Sequence, residues 1–310
     1  NSVVPLFAVI FLGYFCGRSG IIGEPAVKGL TTFVFYFALP PLLFRMMARS
    51  ELGEVSGWAF IGAYLSTEIL MFLSGALIAG AIFGLRFAER TIQGFGCAFS
   101  NGVLLTLPLL LWLYGEPGGV PALLIITLSA LTFSTVTMLL ELANRSIGSA
   151  GRRALLKHTL RSIAGNPIIM AAAGGLAYGL LGLKLPAVLD KTLGFIGQAG
   201  APTALFALGG ALSLRRIGGS LAPAGFMVAA KLFVHPFLVW LALFHLLEID
   251  PLWANAGVIF AASPVGLNVY LFAQHYEAAV ETASTAILIS TGLAMITITG
   301  LLLLLPPIPA

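Results

Sequence analysis

The stretch 260-FAASPVGLNVYLFAQHY-276 decides how this chain is read. Its apolar run has the length and character of a membrane-spanning helix. Ser263, Pro264, Gly266 and Asn268 nevertheless sit in its middle. Glycine weakens a helix, and proline removes a donor and clashes with the preceding turn. A second stretch, 98-AFSNGVLLTLP-108, repeats the pattern with Ser100, Asn101, Gly102 and Pro108. Broken backbone at membrane depth is tolerated only where protein covers it or a watered cavity satisfies it. Two such breaks therefore point to a built polar site inside a bilayer.

Composition supports that setting. The chain has 310 residues, 59% of them hydrophobic and 9% charged, with a mean hydropathy of +1.01. A soluble domain carries about 25% charged residues. Apolar runs fall at 2–16, 27–47, 57–84, 91–114, 119–142, 163–182, 187–213, 221–247, 252–274 and 280–305. Most approach the roughly 20 residues that cross the hydrocarbon core. They are continuous rather than alternating, which selects helices over a membrane β-barrel. The sequence thus predicts an all-α membrane protein with ten transmembrane helices.

The net charge of +4 is a topology signal rather than a nucleic-acid signal. With the N-terminus outside, eleven Lys and Arg residues between Arg18 and Arg216 fall on the inner side. Arg45, Arg49, Lys184 and Lys191 fall on the other. The positive-inside rule then places both termini outside and the basic loop 144-NRSIGSAGRRALLKHTLR-161 in the cytoplasm. Cys16 and Cys97 lie in apolar runs without metal-ligand spacing and read as small core residues.

The two halves match at a nearly constant offset. Pro5 aligns with Pro167 and Pro40 with Pro202; Ser100 aligns with Ser263 and Glu68 with Lys231. Five spans per half put the repeats in opposite orientations, the inverted-repeat plan of many secondary transporters. Interrupted spans four and nine then mark the binding site. Crossing half-helices would present free N–H groups and partial positive charge, suited to a carboxylate. Ser100, Asn101, Gly102, Ser263, Pro264, Val265, Gly266 and Asn268 are the candidate substrate-binding residues, with Pro108 and Pro264 as helix breakers.

The segments 33-FVFYFALPPLLF-44, 99-FSNGVLLTLPLL-110 and 262-ASPVGLNVYLFAQHY-276 resemble the auxin efflux carrier family. That family includes the plant PIN auxin exporters and bacterial carriers described as malonate transporters. The resemblance covers essentially the whole chain. It implies two inverted five-helix repeats with helices 4 and 9 broken and crossing, a fold similar to bile-acid symporters and sodium/proton antiporters. It implies scaffold helices at 1–50 and 163–214, often dimeric, and transport-domain helices at 51–143 and 215–310, joined by a cytoplasmic loop at 144–162. The transport domain would move elevator fashion. Asn101 stands at the family's substrate-binding asparagine and Pro264 at its ninth-helix proline. Ser100 departs from the PIN pattern, which has a proline there, so the first break must rest on Gly102 and polar side chains.

Ionisable side chains within spans are functional candidates. Glu68 and Lys231 could form a buried ion pair, exchange protons, or serve as a structural pair. His235 reads as hydrogen-bonded packing, and His275 and Tyr276 as surface anchors. Glu141 is expected to be solvated. On the scaffold side, Phe37, Leu39 and Ala201 could form an apolar wall against which substrate slides, or simply pack. Gly175 and Gly179 suit a close helix contact. Ser134, Thr135 and Thr137 are expected to bond their own helix carbonyls.

The sequence therefore predicts a secondary carrier of a small carboxylate in the bacterial cytoplasmic membrane, acting as a uniporter or coupled to protons. No phosphate-binding loop, cofactor motif or metal-ligand cluster is present, and no catalytic constellation argues for an enzyme. A sodium-coupled symporter is the alternative, followed by a channel or a sensor derived from the carrier fold. Membrane lipid and a second copy of the chain, through the scaffold helices, are the expected partners; nucleic acid is not one.

Overall fold

The computed structural model describes residues 3–49, 56–143 and 165–308. The basic loop expected at 144–162 lies outside the described residues. Among those described there is no strand, only one isolated antiparallel bridge. Six helices are long and apolar enough to cross a membrane: Glu24–Arg49, Gly57–Phe83, Gly102–Ala143, Ala187–Ser213, Leu221–Leu246 and Val280–Leu304. Val4–Arg18, Pro167–Leu180 and Pro251–Ala262 are shorter and also apolar. The chain is an all-helical, multi-pass membrane protein.

Two compact units form. The first takes residues 3–49, 103–127 and 165–214. Helix α1 (Val4–Arg18) enters it first. Helix α2 (Glu24–Phe33) continues through a wide π turn at Val34–Ala38 into α3 (Leu39–Arg49). Pro40 and Pro41 follow that π turn, so the missing donors are absorbed by local rewinding rather than by a full break. The later helices are α7 (Pro167–Leu180), α8 (Ala187–Gln198) and α9 (Gly200–Ser213).

Glycine decides how closely these helices approach. A Cβ on Gly209 would overlap the carbonyl oxygen of Ile10 and stand 2.7 Å from the nitrogen of Tyr14. A Cβ on Gly13 would overlap the carbonyl of Phe206. Helices α1 and α9 therefore touch backbone to backbone, the geometry small residues permit in membranes. The Gly175–Gly179 pair works as expected, with Gly175 of α7 against the carbonyl of Phe44 in α3.

The second unit takes residues 56–102, 128–143 and 215–308. It contains α4 (Ser56–Phe83), α5 (Phe87–Ala98) and the end of α6 (Leu107–Ala143). Helix α6 is interrupted at Gly115, whose φ of 66° and ψ of −158° leave helical space; residues 103–127 pack with the first unit. After α10 (Leu221–Ala229), a π turn at Ala230–Val234 leads into α11 (His235–Trp240). The chain ends through α12 (Pro251–Ala262), α13 (Leu267–His275) and α14 (Val280–Leu304). Phe95, Phe99, Phe133 and Phe272 form an aromatic cluster, with Phe99 4.9 Å from Phe95 and 5.1 Å from Phe133 between ring centres. Ser134 and Thr135 donate to Ala130 and Leu131, one turn back on α6.

Candidate functional site

Both quoted stretches break as their residues dictate. Helix α5 ends at Ala98, Phe99 is extended (φ −87°, ψ 124°), and the chain resumes as a π turn at Gly102–Thr106. Helix α12 ends at Ala262, Ser263 is extended (φ −68°, ψ 151°), and α13 starts after Gly266. The two extended pieces meet: Ser100 and Val265 form the antiparallel bridge. The N–H of Asn101 donates to the Pro264 carbonyl at 3.0 Å, and the N–H of Gly266 donates to the Phe99 carbonyl at 3.1 Å. Each break thus satisfies polar backbone that the other exposes, which apolar surroundings demand.

Side chains complete the arrangement. The last four carbonyls of a helix lack intrahelical partners. In α12 the Ile259 carbonyl accepts from the Ser263 hydroxyl at 3.0 Å. The Phe260 carbonyl accepts from the Ser100 hydroxyl at 2.7 Å, and the Ala261 carbonyl accepts from the Lys231 ammonium. The serine standing where the PIN pattern has proline therefore contributes a tie that proline could not make. Ser290 of α14 accepts from the Val265 N–H at 3.1 Å, and Tyr64 of α4 shares a hydrogen bond with Ser100. Gly266 has no side-chain cap; the Val269 N–H donates back to the Gly266 carbonyl at 3.0 Å, which leaves the N–H groups of Leu267 and Asn268 as those without an intrahelical acceptor.

Seven predicted residues come together here: Ser100, Asn101, Gly102, Ser263, Pro264, Val265 and Gly266. All are buried except Asn268 of the predicted set, which is half-buried in the first turn of α13. Pro108 lies beyond the π turn, in the first unit. So do Phe37, Leu39 and Ala201: Leu39 is fully buried, Phe37 is exposed and Ala201 is half-buried.

Glu68 and Lys231 are both buried in the second unit, yet they make different contacts. The Glu68 carboxylate accepts from the Thr132 hydroxyl at 2.9 Å. The Lys231 Nζ contacts His235 Nδ1 at 3.2 Å as well as the Ala261 carbonyl. The ion pairs among the described residues lie elsewhere, at Arg45–Glu116, Arg45–Asp190 and Arg49–Asp190. Lys231 sits instead at the partially negative end of α12, where a cation is favourable. His235 is fully buried, packs its ring 5.7 Å from that of Tyr64 and leaves Nε2 without a hydrogen-bond partner among the described residues.

Sequence reasoning missed Tyr64 and Ser290, whose hydroxyls carry no periodic signal. It also missed the partner of Glu141, which accepts from Tyr276 at 3.2 Å rather than standing free in solvent. Burial pushes the Tyr276 hydroxyl up to about 12, and the Glu141 carboxylate adds to the shift. Cys97 is buried, Cys16 is half-buried, and both are free thiols. Among the described residues no group of three or more His, Cys, Asp or Glu is placed to hold a metal.

Paired breaks inside apolar helices fit a membrane transporter, and the comparisons show that class. The model of the membrane transport protein family (Mem_trans) matches residues 1–302, and the chain belongs to that family, that of the auxin efflux carriers. It is 36% identical over 310 residues, 98% of this chain and 94% of the other, to a Rhizobium meliloti (strain 1021) protein named "Putative malonate transporter". It is 25% identical over 298 residues, 94% of this chain and 92% of the other, to the "Uncharacterized transporter YfdV" of Escherichia coli (strain K12). It is 28% identical over 149 residues, 46% of this chain and 24% of the other, to "Auxin efflux carrier component 1" of Arabidopsis thaliana. The family and these relatives are transporters, not enzymes.

Proposed function

We propose that this transporter is a secondary carrier of a small organic anion, bound as a carboxylate where the two broken helices meet. The observation that carries this reading is the bridge between Ser100 and Val265, flanked by the uncapped start of α13. Neutral N–H groups at a half-helix start stabilise a carboxylate without a dedicated arginine. The amide of Asn101 supplies a further polar contact, and the relative's malonate makes that acid the first ligand to try.

The same reading takes the two halves as inverted five-helix repeats, ten helices in all, with both termini outside. The body carrying the crossover would move elevator fashion against the scaffold helices of a homodimer, with Phe37, Leu39 and Ala201 facing the path. Transport is by uniport or proton coupling, with Glu68 and Lys231 as the buried groups able to exchange a proton.

The test is a binding screen on purified protein against malonate, monocarboxylates and aromatic acids, with and without sodium and at two pH values. Asn101→Ala should weaken binding of the tightest acid while the thermal midpoint is unchanged. Wild-type affinity in that variant would remove the crossover assignment. Trans-stimulated exchange in proteoliposomes separates this carrier from a channel.

A further inference from the structure

The first unit contains a 640 Å³ cavity of its own, within the range of small-ligand sites. Its polar wall is Arg45, Glu116, Asp190 and Lys191. Leu42, Leu111 and Phe195 supply the apolar side. On the orientation proposed above, its mouth faces the outside, because Arg45 lies toward the C-terminal end of α3 and Asp190 in the first turn of α8.

The charges in this wall are unequally held. Both oxygens of Asp190 are taken, one by Arg45 Nε at 2.9 Å and the other by Arg49 at 2.6 Å. The Asp190 side chain is 15% exposed. The Nη1 arm of Arg45 donates to Glu116, whose side chain is 35% exposed. Glu116 follows the helix interruption at Gly115, where only a residue tolerant of positive φ fits easily. Helix α8 packs against the guanidinium at Gly194, where even a Cβ would stand at ordinary contact distance, 3.4 Å from Arg45 Cζ. Lys191 is exposed and takes part in no ion pair among those of the described residues.

We propose that this cavity is a second carboxylate site, in which Glu116 occupies the outer arm of Arg45 as a built-in surrogate for the ligand. An arriving acid exchanges with Glu116, so the guanidinium keeps a carboxylate partner throughout. The Asp190 contacts stay, since two arginines hold that side chain, whereas Glu116 is held by Arg45 alone and is the more exposed of the two carboxylates. The planar guanidinium suits a carboxylate. Lys191 offers the second charge, which selects a small dicarboxylate over a monocarboxylate. The choice of ligand rests on the carboxylate reading of the protein; the site itself is separate from the crossover.

Calorimetric titration of the purified full chain with malonate, and separately with acetate, tests this in Asn101→Ala, Asn101→Ala/Glu116→Gln and Asn101→Ala/Lys191→Gln. With the crossover disabled, residual malonate binding should persist and exceed acetate binding. Glu116→Gln should strengthen it roughly fivefold and Lys191→Gln weaken it by a similar factor, the upper range for an exposed ion pair. Absence of residual binding in the first two variants overturns the second site, as does weakening by Glu116→Gln. Full wild-type affinity in Asn101→Ala together with loss in Lys191→Gln would instead keep this site and reject the crossover.

Discussion

Replacing Gly266 by alanine probes the crossover with a single methyl group. The backbone there (φ −70°, ψ 142°) accepts any residue, so the substitution carries no dihedral penalty. Its cost comes from space. The new Cβ would lie 2.5 Å from Cδ1 of Phe99 and 2.9 Å from the carbonyl oxygen of Ser100. Carbon contacts settle at about 3.5–4.0 Å, so the Phe99 ring must withdraw by roughly 1 Å. Phe95 and Phe133 stand behind it, and the Ser100 oxygen belongs to the bridge itself. Overpacking of this kind costs about 1–3 kcal/mol, and each loosened bridge bond a further ~0.5–1.5 kcal/mol. If about 2 kcal/mol of this falls on the bound state, affinity drops roughly 30-fold. Calorimetry with the tightest acid of the screen measures it. Gly292→Ala in α14, where a methyl would meet nothing within 4 Å, is the matched control. Wild-type affinity in Gly266→Ala would refute the view that this bridge shapes the binding site.

Gly209→Ala drives a methyl into the Ile10 carbonyl and should lower stability by about 2 kcal/mol, or about 3 °C in thermal midpoint. An unshifted midpoint would deny the α1–α9 backbone contact its importance. Glu68→Gln keeps the acceptor for Thr132 but removes the charge. Transport in proteoliposomes should then lose its pH dependence, and a profile identical to wild type returns Glu68 to a structural role.

Much of this architecture was legible because glycine, proline, serine and asparagine are hard to place inside an apolar helix. Their clusters at 100–102 and 263–266 marked the breaks, and the extended residues lie there. What joined the breaks was less visible. The Ser100–Phe260 and Val265–Ser290 bonds link residues far apart in sequence, and single hydroxyls leave no pattern. Lys231 shows the limit of reading by offset. The repeat alignment makes it equivalent to Glu68 but carries no signal for the contacts it makes, to His235 one turn on and to the Ala261 carbonyl at the end of α12. The π turns at Val34–Ala38 and Ala230–Val234 were likewise hidden, because the extra residue of a wider turn leaves no mark in runs as apolar as VFYFA and AKLFV. Arg45 and Arg49 were assigned only to membrane orientation, although their spacing of one helical turn also suits a shared acid, and Asp190 is that acid.

The bridge between the broken helices is assembled from main-chain atoms and hydroxyls, none of which bears a formal charge. That neutrality has an electrical consequence if the crossover travels across the bilayer as proposed. On the elevator reading proposed above, Glu68 and Lys231 cancel when both are ionised, so these two buried groups add no net charge to that of the cargo. A singly charged acid moving by itself would couple each cycle to about 2.3 kcal/mol per 100 mV, and uptake would register as current. The same acid accompanied by one proton would cross silently.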